Sequence, residues 1–301
     1  MYPINYGGWP NCCRLFNGQV ELIVTTDVGP RIIHFGFAGQ PNEFHEVAAD
    51  LSKTGGDTYR LYGGHRLVHS PEDMVRTYCP DNAPVRFEEH DGFVRLTQPA
   101  EATTGIAKEM DIRLAPDTAM ARVTHRLRNA NLWAVQLAPW AISMMAPGGT
   151  CIIPLPPRVA HAESRLNLST VTLWDFTDMA DPRWAWGRRY VMLRQDPGLE
   201  AAQKVGVMAP DAWIAYARAG HLFVSTFEFV PSASYSDLGS CIETYADGSF
   251  LEVETLGPSV TLQPGASVEH TEHWHLFEGV PTPGTEAEVD RFVLPRVQAA
   301  Q

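Results

Sequence analysis

Two carboxylates two residues apart carry the clearest chemical signal in this chain. They lie in Phe250-Leu251-Glu252-Val253-Glu254-Thr255-Leu256-Gly257-Pro258, a stretch of otherwise apolar character. Side chains two apart on a strand share a face. Glu252 and Glu254 therefore project together with Phe250 and Leu256, and Leu251 and Val253 face the other way. Carboxylates in such a setting need partners or a use. The bland alternative is a solvent face paired with arginines of a neighbouring strand, where such pairs are worth ~0–1 kcal/mol.

A second cluster is Tyr62-Gly63-Gly64-His65-Arg66-Leu67-Val68-His69-Ser70-Pro71-Glu72-Asp73. Two glycines let the backbone bend tightly or approach a ligand closely. Histidine is the usual proton carrier near neutral pH, so His65 and His69 are candidates for general acid or base. Four apart on an extended strand, they share a face. Arg66 offers a rigid fork of donors that suits vicinal hydroxyls or a carboxylate. Each histidine taken singly is more often a satisfied structural residue than a catalyst.

Further along, His273-Trp274-His275 sets two imidazoles on one face of a strand, with Glu269 on the same face. That spacing occurs in metal sites of β-barrels. Two imidazoles do not complete a site, however, and no metal or other cofactor is assigned.

These residues need a scaffold, and the chain reads as all-β. Short strand-like runs recur at 20–26, 31–37, 84–89, 92–98, 110–114, 119–128, 134–142, 170–174, 190–193, 212–216, 222–230 and 241–245. Turn signals such as Asp27-Val28-Gly29-Pro30 and His90-Asp91-Gly92 separate them. No βαβ rhythm or internal repeat is visible, so a sandwich or barrel of many strands is expected, as one domain over 1–301. Residues 178–189 mix tryptophan and arginine without alternation and read as a long loop or short helix over one end of the sheet. One helix is signalled, from the capping box Thr285-Glu286-Ala287-Glu288, with Pro295 expected to end or kink it.

Composition narrows the partners. Of 301 residues, 23 are Lys or Arg and 35 are Asp or Glu, a formal net charge of −12. That balance argues against nucleic acid and anionic membranes as partners. No apolar run is long enough to span a bilayer. The N-terminus lacks the basic and apolar regions of a signal peptide, and five scattered cysteines read as reduced thiols, so a cytoplasmic location is expected.

The stretch from Glu254-Thr255 through Leu262-Gln263-Pro264-Gly265 to the strand ending in Phe277 resembles the C-terminal signature of the galactose mutarotase (aldose 1-epimerase) superfamily. The resemblance implies a β-supersandwich of many antiparallel strands and makes Glu254 the catalytic base. It also implies a small-molecule carbohydrate as partner. In the family a pocket histidine precedes the Gly-Gly element, where this chain has Tyr62. Gly63-Gly64 through Pro71 is similar to the hexose-phosphate epimerase-like branch instead. At the position of the family's acid histidine this chain has Trp140. An indole cannot act as that acid, but it can stack on the apolar face of a pyranose.

On this reading Glu254 takes the proton of an anomeric hydroxyl while His65 or His69 protonates the ring oxygen, each transfer being worth on the order of 10²–10⁴ in rate. Arg66 and Glu252 bind hydroxyls, and Trp140, Trp184 or Trp186 provides the stacking platform. Two other functions stay open. One is a carbohydrate-binding or sensing protein without catalysis. The other is a glycoside hydrolase or lyase, although two carboxylates on one strand point in parallel rather than flanking a bond.

Overall fold

Alternation of apolar and polar residues becomes strand along most of the chain. The computed structural model describes residues 2–164 and 169–301, which form two antiparallel sheets of eleven and ten strands. Strands at Arg31–Phe37, Phe93–Gln98, Met120–Asn129, Val135–Met145 and Trp213–Arg218 fall within a few residues of their expected positions. In Ile106–Leu114 the buried residues are Ile106, Lys108, Met110 and Ile112, a period of two that puts one face on the core. The sheets enclose a shared core that includes Phe35, Phe44, Val123, Phe223, Val253 and Trp274.

The strands that matter for function sit in the middle of the eleven-stranded sheet. Val135–Met145 pairs with His65–Ser70 on one side and Leu251–Leu256 on the other, and Leu251–Leu256 then pairs with Ile242–Ala246 and that with Gln203–Val207. His65–Ser70 and Leu251–Leu256 are buried at every residue. Continuous burial without alternation means that both faces are covered. One face packs on the other sheet. The second is roofed by loops, and a depression under that roof is where ligand contacts concentrate.

Two expectations need adjusting. Residues 178–189 are not all loop. Trp184–Trp186 is a short strand at the edge of the ten-stranded sheet, paired with Tyr190–Arg194. At the C-terminus, Thr285 caps the helix as expected, accepting from the Glu288 backbone N–H. The helical path then continues past Pro295 to Ala300. A wider turn over Val289–Val293 precedes the proline, which falls in the first turn of the last helical segment. A proline there has no backbone hydrogen bond to lose.

Gly63 and Gly64 take positive φ values of 97° and 70°. A Cβ on either would lie within 2.2–2.3 Å of the carbonyl oxygens of His45 and Ile32. Their bareness serves close passage of one chain segment past another, immediately before the strand that carries Arg66.

Candidate active site on the roofed sheet face

The pairing register decides which side chains meet. Ile142 lies opposite Arg66 and Glu254 on its two neighbours. Glu254 lies opposite Glu243, and Glu252 opposite Tyr245. Tyr245 in turn lies opposite Lys204. Because side chains alternate, Arg66, Trp140, Ile142, Glu252, Glu254, Tyr245 and Lys204 all project from the face turned away from the other sheet. The roof brings Tyr78, Trp174 and Phe176 over them. Together, with Glu254 excepted, they bound a cavity of about 270 Å³. Ligand pockets for drug-sized molecules run ~300–1,000 Å³, so this one suits a single small ring. Another depression, lined by Asp111, Arg122 and Arg126, lies on the outward face of the ten-stranded sheet.

Below the cavity floor lies a buried charge cluster. Oε2 of Glu254 accepts from the Trp140 Nε1–H at 2.9 Å and from Lys204 Nζ at 3.1 Å. The same ammonium is 2.9 Å from Glu243 Oε2. It also lies 4.7 Å from the ring centres of both Trp140 and Trp174, a desolvated cation between two π faces. Burial works against the Lys204 charge, but Glu243 and Glu254 outweigh it and hold the ammonium above its ordinary range. Glu243 is pushed well up by burial, against the pull of Lys204, and Glu254 adds to the rise. Like charges directly opposite on paired strands repel. The ammonium of Lys204, within 3.1 Å of both carboxyl groups, offsets that repulsion.

Glu252 stands at the cavity itself. Its Oε1 is 3.5 Å from Arg66 Nη2, and Arg66 also donates to the Tyr59 hydroxyl. Burial pushes Glu252 up to about 7, with Arg66 opposing the shift and Glu254 reinforcing it. A carboxylate poised there can both accept and return a proton near neutrality. The cavity thus offers aromatic walls, two fixed cations and one carboxyl group that titrates at working pH. Aromatic faces and convergent polar groups suit a polyol, neutral or singly anionic.

The structure spreads the sequence-derived residues unevenly. Arg66, Trp140 and Glu252 line the cavity. Glu254 is fully buried one hydrogen bond behind the wall, under Trp140 and Lys204. His65 and His69 do share a face, as the spacing required, but it is the face turned into the sandwich. His65 Nε2 meets His125 Nε2 at 2.7 Å, and His69 lies 3.9 Å from Glu101. Neither lines the cavity, because Arg66 between them points outward. Trp184 donates to Gln203 and Trp186 to the Met179 carbonyl, both apart from the cavity. His273 and His275 are on the outward face of Ser267–Glu278.

Sequence reasoning missed Lys204, Glu243 and Trp174. Lys204 and Glu243 each sit singly in a strand, and a lone charge in a strand reads as a solvent-facing residue. Their significance comes from register across four strands. Trp174 closes the strand-like run 170–174, but nothing local announces that its ring folds back over Lys204.

No family model matches the sequence, and no curated protein matches it. Solved structures do match. A galactose mutarotase-like protein from Lactobacillus casei superposes with a TM-score of 0.59 at 12% identity, over 89% of this chain and 100% of that one. A candidate aldose 1-epimerase from Escherichia coli gives 0.56 at 11% identity, over 89% and 99%. A TPR-domain containing protein from Parabacteroides distasonis gives 0.58 at 15%, over 91% of this chain and 49% of that one. The chain has the galactose mutarotase-like fold. At these identities the likeness fixes the architecture, and the chemistry of the galactose mutarotase-like scaffold has to be argued from the side chains.

Proposed function

We propose that the protein binds a single carbohydrate ring in the cavity on the roofed sheet face. The observation that carries this reading is the convergence of Arg66, Lys204 and Glu252 with Trp140, Trp174 and Phe176 around a space of about 270 Å³. A pyranose has an apolar C–H face for an indole and a rim of hydroxyls for charged donors and acceptors. Arg66 and Lys204 donate, and Glu252 accepts. The fold shared with mutarotase-like proteins supports the same substrate class. Thermal stabilisation and saturation-transfer NMR across a panel of monosaccharides and sugar acids test it. Binding of at least one, lost on Arg66→Ala, is expected; no binding across the panel defeats it.

A second reading adds chemistry, and the position of Glu252 near pH 7 favours it. Anomers of a free sugar interconvert when a base takes the proton from the anomeric hydroxyl and an acid protonates the ring oxygen. In this aldose 1-epimerase-like reading Glu252, in place of Glu254 behind the wall, takes the anomeric proton, the C1–ring-oxygen bond breaks as the aldehyde forms, and solvent water protonates the ring oxygen, with neither His65 nor His69 taking part. Lys204 is held too firmly protonated to act as an efficient acid. It and Arg66 instead offset charge developing on the sugar oxygens. Exchange spectroscopy between anomers, with and without protein, separates the two readings. Faster exchange abolished by Glu252→Gln supports catalysis, and binding without acceleration leaves a carbohydrate-binding protein.

A further inference from the structure

A separate polar cluster lies inside the sandwich, between the two sheets. His65 comes from the eleven-stranded sheet, and His125 and Glu272 from paired strands of the ten-stranded sheet. One ligand-capable atom from each lies within 4.8 Å of the others, and all three residues are buried. The two Nε2 atoms are 2.7 Å apart. Glu272 Oε2 lies 3.8 Å from His65 Nε2 and 3.9 Å from His125 Nε2. That carboxylate oxygen is aimed at both imidazoles yet bonds to neither.

Outer hydrogen bonds hold all three groups in place around the 2.7 Å Nε2–Nε2 contact, which is itself a hydrogen bond. His125 Nδ1 faces the His270 carbonyl at 3.0 Å. A carbonyl only accepts, so Nδ1 carries the hydrogen and Nε2 presents its lone pair. His65 Nδ1 is 2.8 Å from Ser143 Oγ, which can accept in the same way. Glu272 Oε1 takes hydrogens from Thr255 at 2.7 Å and Ser225 at 3.2 Å. Oε2 takes one from the Trp274 indole at 3.1 Å. Imidazoles tethered through Nδ1 and a carboxylate fixed by hydroxyls are the usual support of a metal site.

We propose that His65, His125 and Glu272 bind a divalent first-row metal ion, zinc in the first instance, which ties the two sheets together. A point about 2 Å from all three atoms lies inside their triangle, matching Zn–N and Zn–O bonds of ~2.0–2.2 Å. A tetrahedral ion asks the two nitrogens to part by roughly half an ångström, with water or a hydroxyl as fourth ligand. Two imidazoles and a carboxylate suit zinc better than calcium or magnesium. Histidines on the outward face of Ser267–Glu278 had drawn attention in the sequence. The set assembled here uses Glu272, on the inward face of that strand, and histidines from two others. The site is distinct from the sugar cavity and does not depend on that reading.

The test is metal analysis of the untagged full chain, expressed with zinc and purified without chelator. About one zinc per folded chain, retained through dialysis, is expected, with His125→Gln and Glu272→Gln each reducing it at least tenfold. A His273→Ala/His275→Ala variant keeps the metal. Because the inner variants risk misfolding, the wild type is also refolded from urea with zinc or with chelator, zinc giving the higher yield and melting point. Folded wild type with less than about a tenth of an equivalent of metal, and refolding indifferent to zinc, overturns the proposal. So does zinc that survives in His125→Gln but is lost with His273 and His275.

Discussion

The indole N–H of Trp140 donates to Oε2 of Glu254 at 2.9 Å, deep under the cavity floor. These are the two positions that the resemblance aligned with the acid and base of a mutarotase. Here they are bonded to each other. Trp140 turns its ring face to the ammonium of Lys204 and lines the cavity. Replacing it by phenylalanine keeps an aromatic surface but strips a buried carboxylate of one donor. Trp140→Phe is expected to lower stability by about 1–3 kcal/mol in urea unfolding, more than its effect on sugar affinity.

Lys204 is the cation shared by Glu254 and Glu243. Lys204→Met leaves two buried carboxyl groups without it. A loss of about 3–5 kcal/mol at neutral pH is expected. Burial already holds Glu243 well above its ordinary range, and without Lys204 nothing opposes that rise. Its stabilising effect is full below the unfolded value and lost as pH rises through the folded one. The deficit therefore shrinks in acid, and adding Glu243→Gln to Lys204→Met recovers part of it. Chemical denaturation at two pH values checks both points.

Glu252 gives a sharper pH signature. It is held at about 7 against an ordinary 4.5. The folded protein keeps a proton that the unfolded chain releases between these values. The stability this confers is complete below 4.5 and falls through 7, by at most about 1.4 kcal/mol per pH unit. Glu252→Gln removes that part of the slope in melts taken from pH 5 to pH 8. If Glu252 also acts as base, anomer exchange rises about tenfold per pH unit below 7 and levels above it in the wild type.

Arg66 and His69 lie three apart on one strand and face opposite ways. Arg66 lines the cavity, and His69 sits inside beside Glu101. Arg66→Lys is expected to weaken sugar binding about tenfold, since an ammonium cannot reproduce the planar fork. His69→Gln leaves the affinity within about twofold while lowering the melting temperature, because its side chain touches only the interior. Calorimetric titration of the two variants against the same sugar makes the comparison.

Much of this was legible in residue order. Alternation in 110–114 and 119–128 marks strands, and the spacing of Glu252 and Glu254 marks their common face. The same rule correctly joined His65 with His69. What a single strand cannot show is which of its two faces meets the other sheet. Both faces of His65–Ser70 are covered, so the histidines looked as available as the arginine. Lys204 and Glu243 were invisible for the related reason that they acquire meaning only by register across the sheet. His65, His125 and Glu272 come from three strands far apart in the chain, and no local spacing marks them.

In the proposed complex a sugar ring rests between Trp140 and the Arg66–Glu252 pair. Saturation-transfer difference NMR on the full chain with a monosaccharide panel detects that contact. Transfer is expected to be strongest to the C–H protons of one ring face for at least one sugar, and none is expected with Arg66→Ala. Absence of transfer from the wild type to every sugar tested, or undiminished transfer to the Arg66→Ala variant, contradicts that placement.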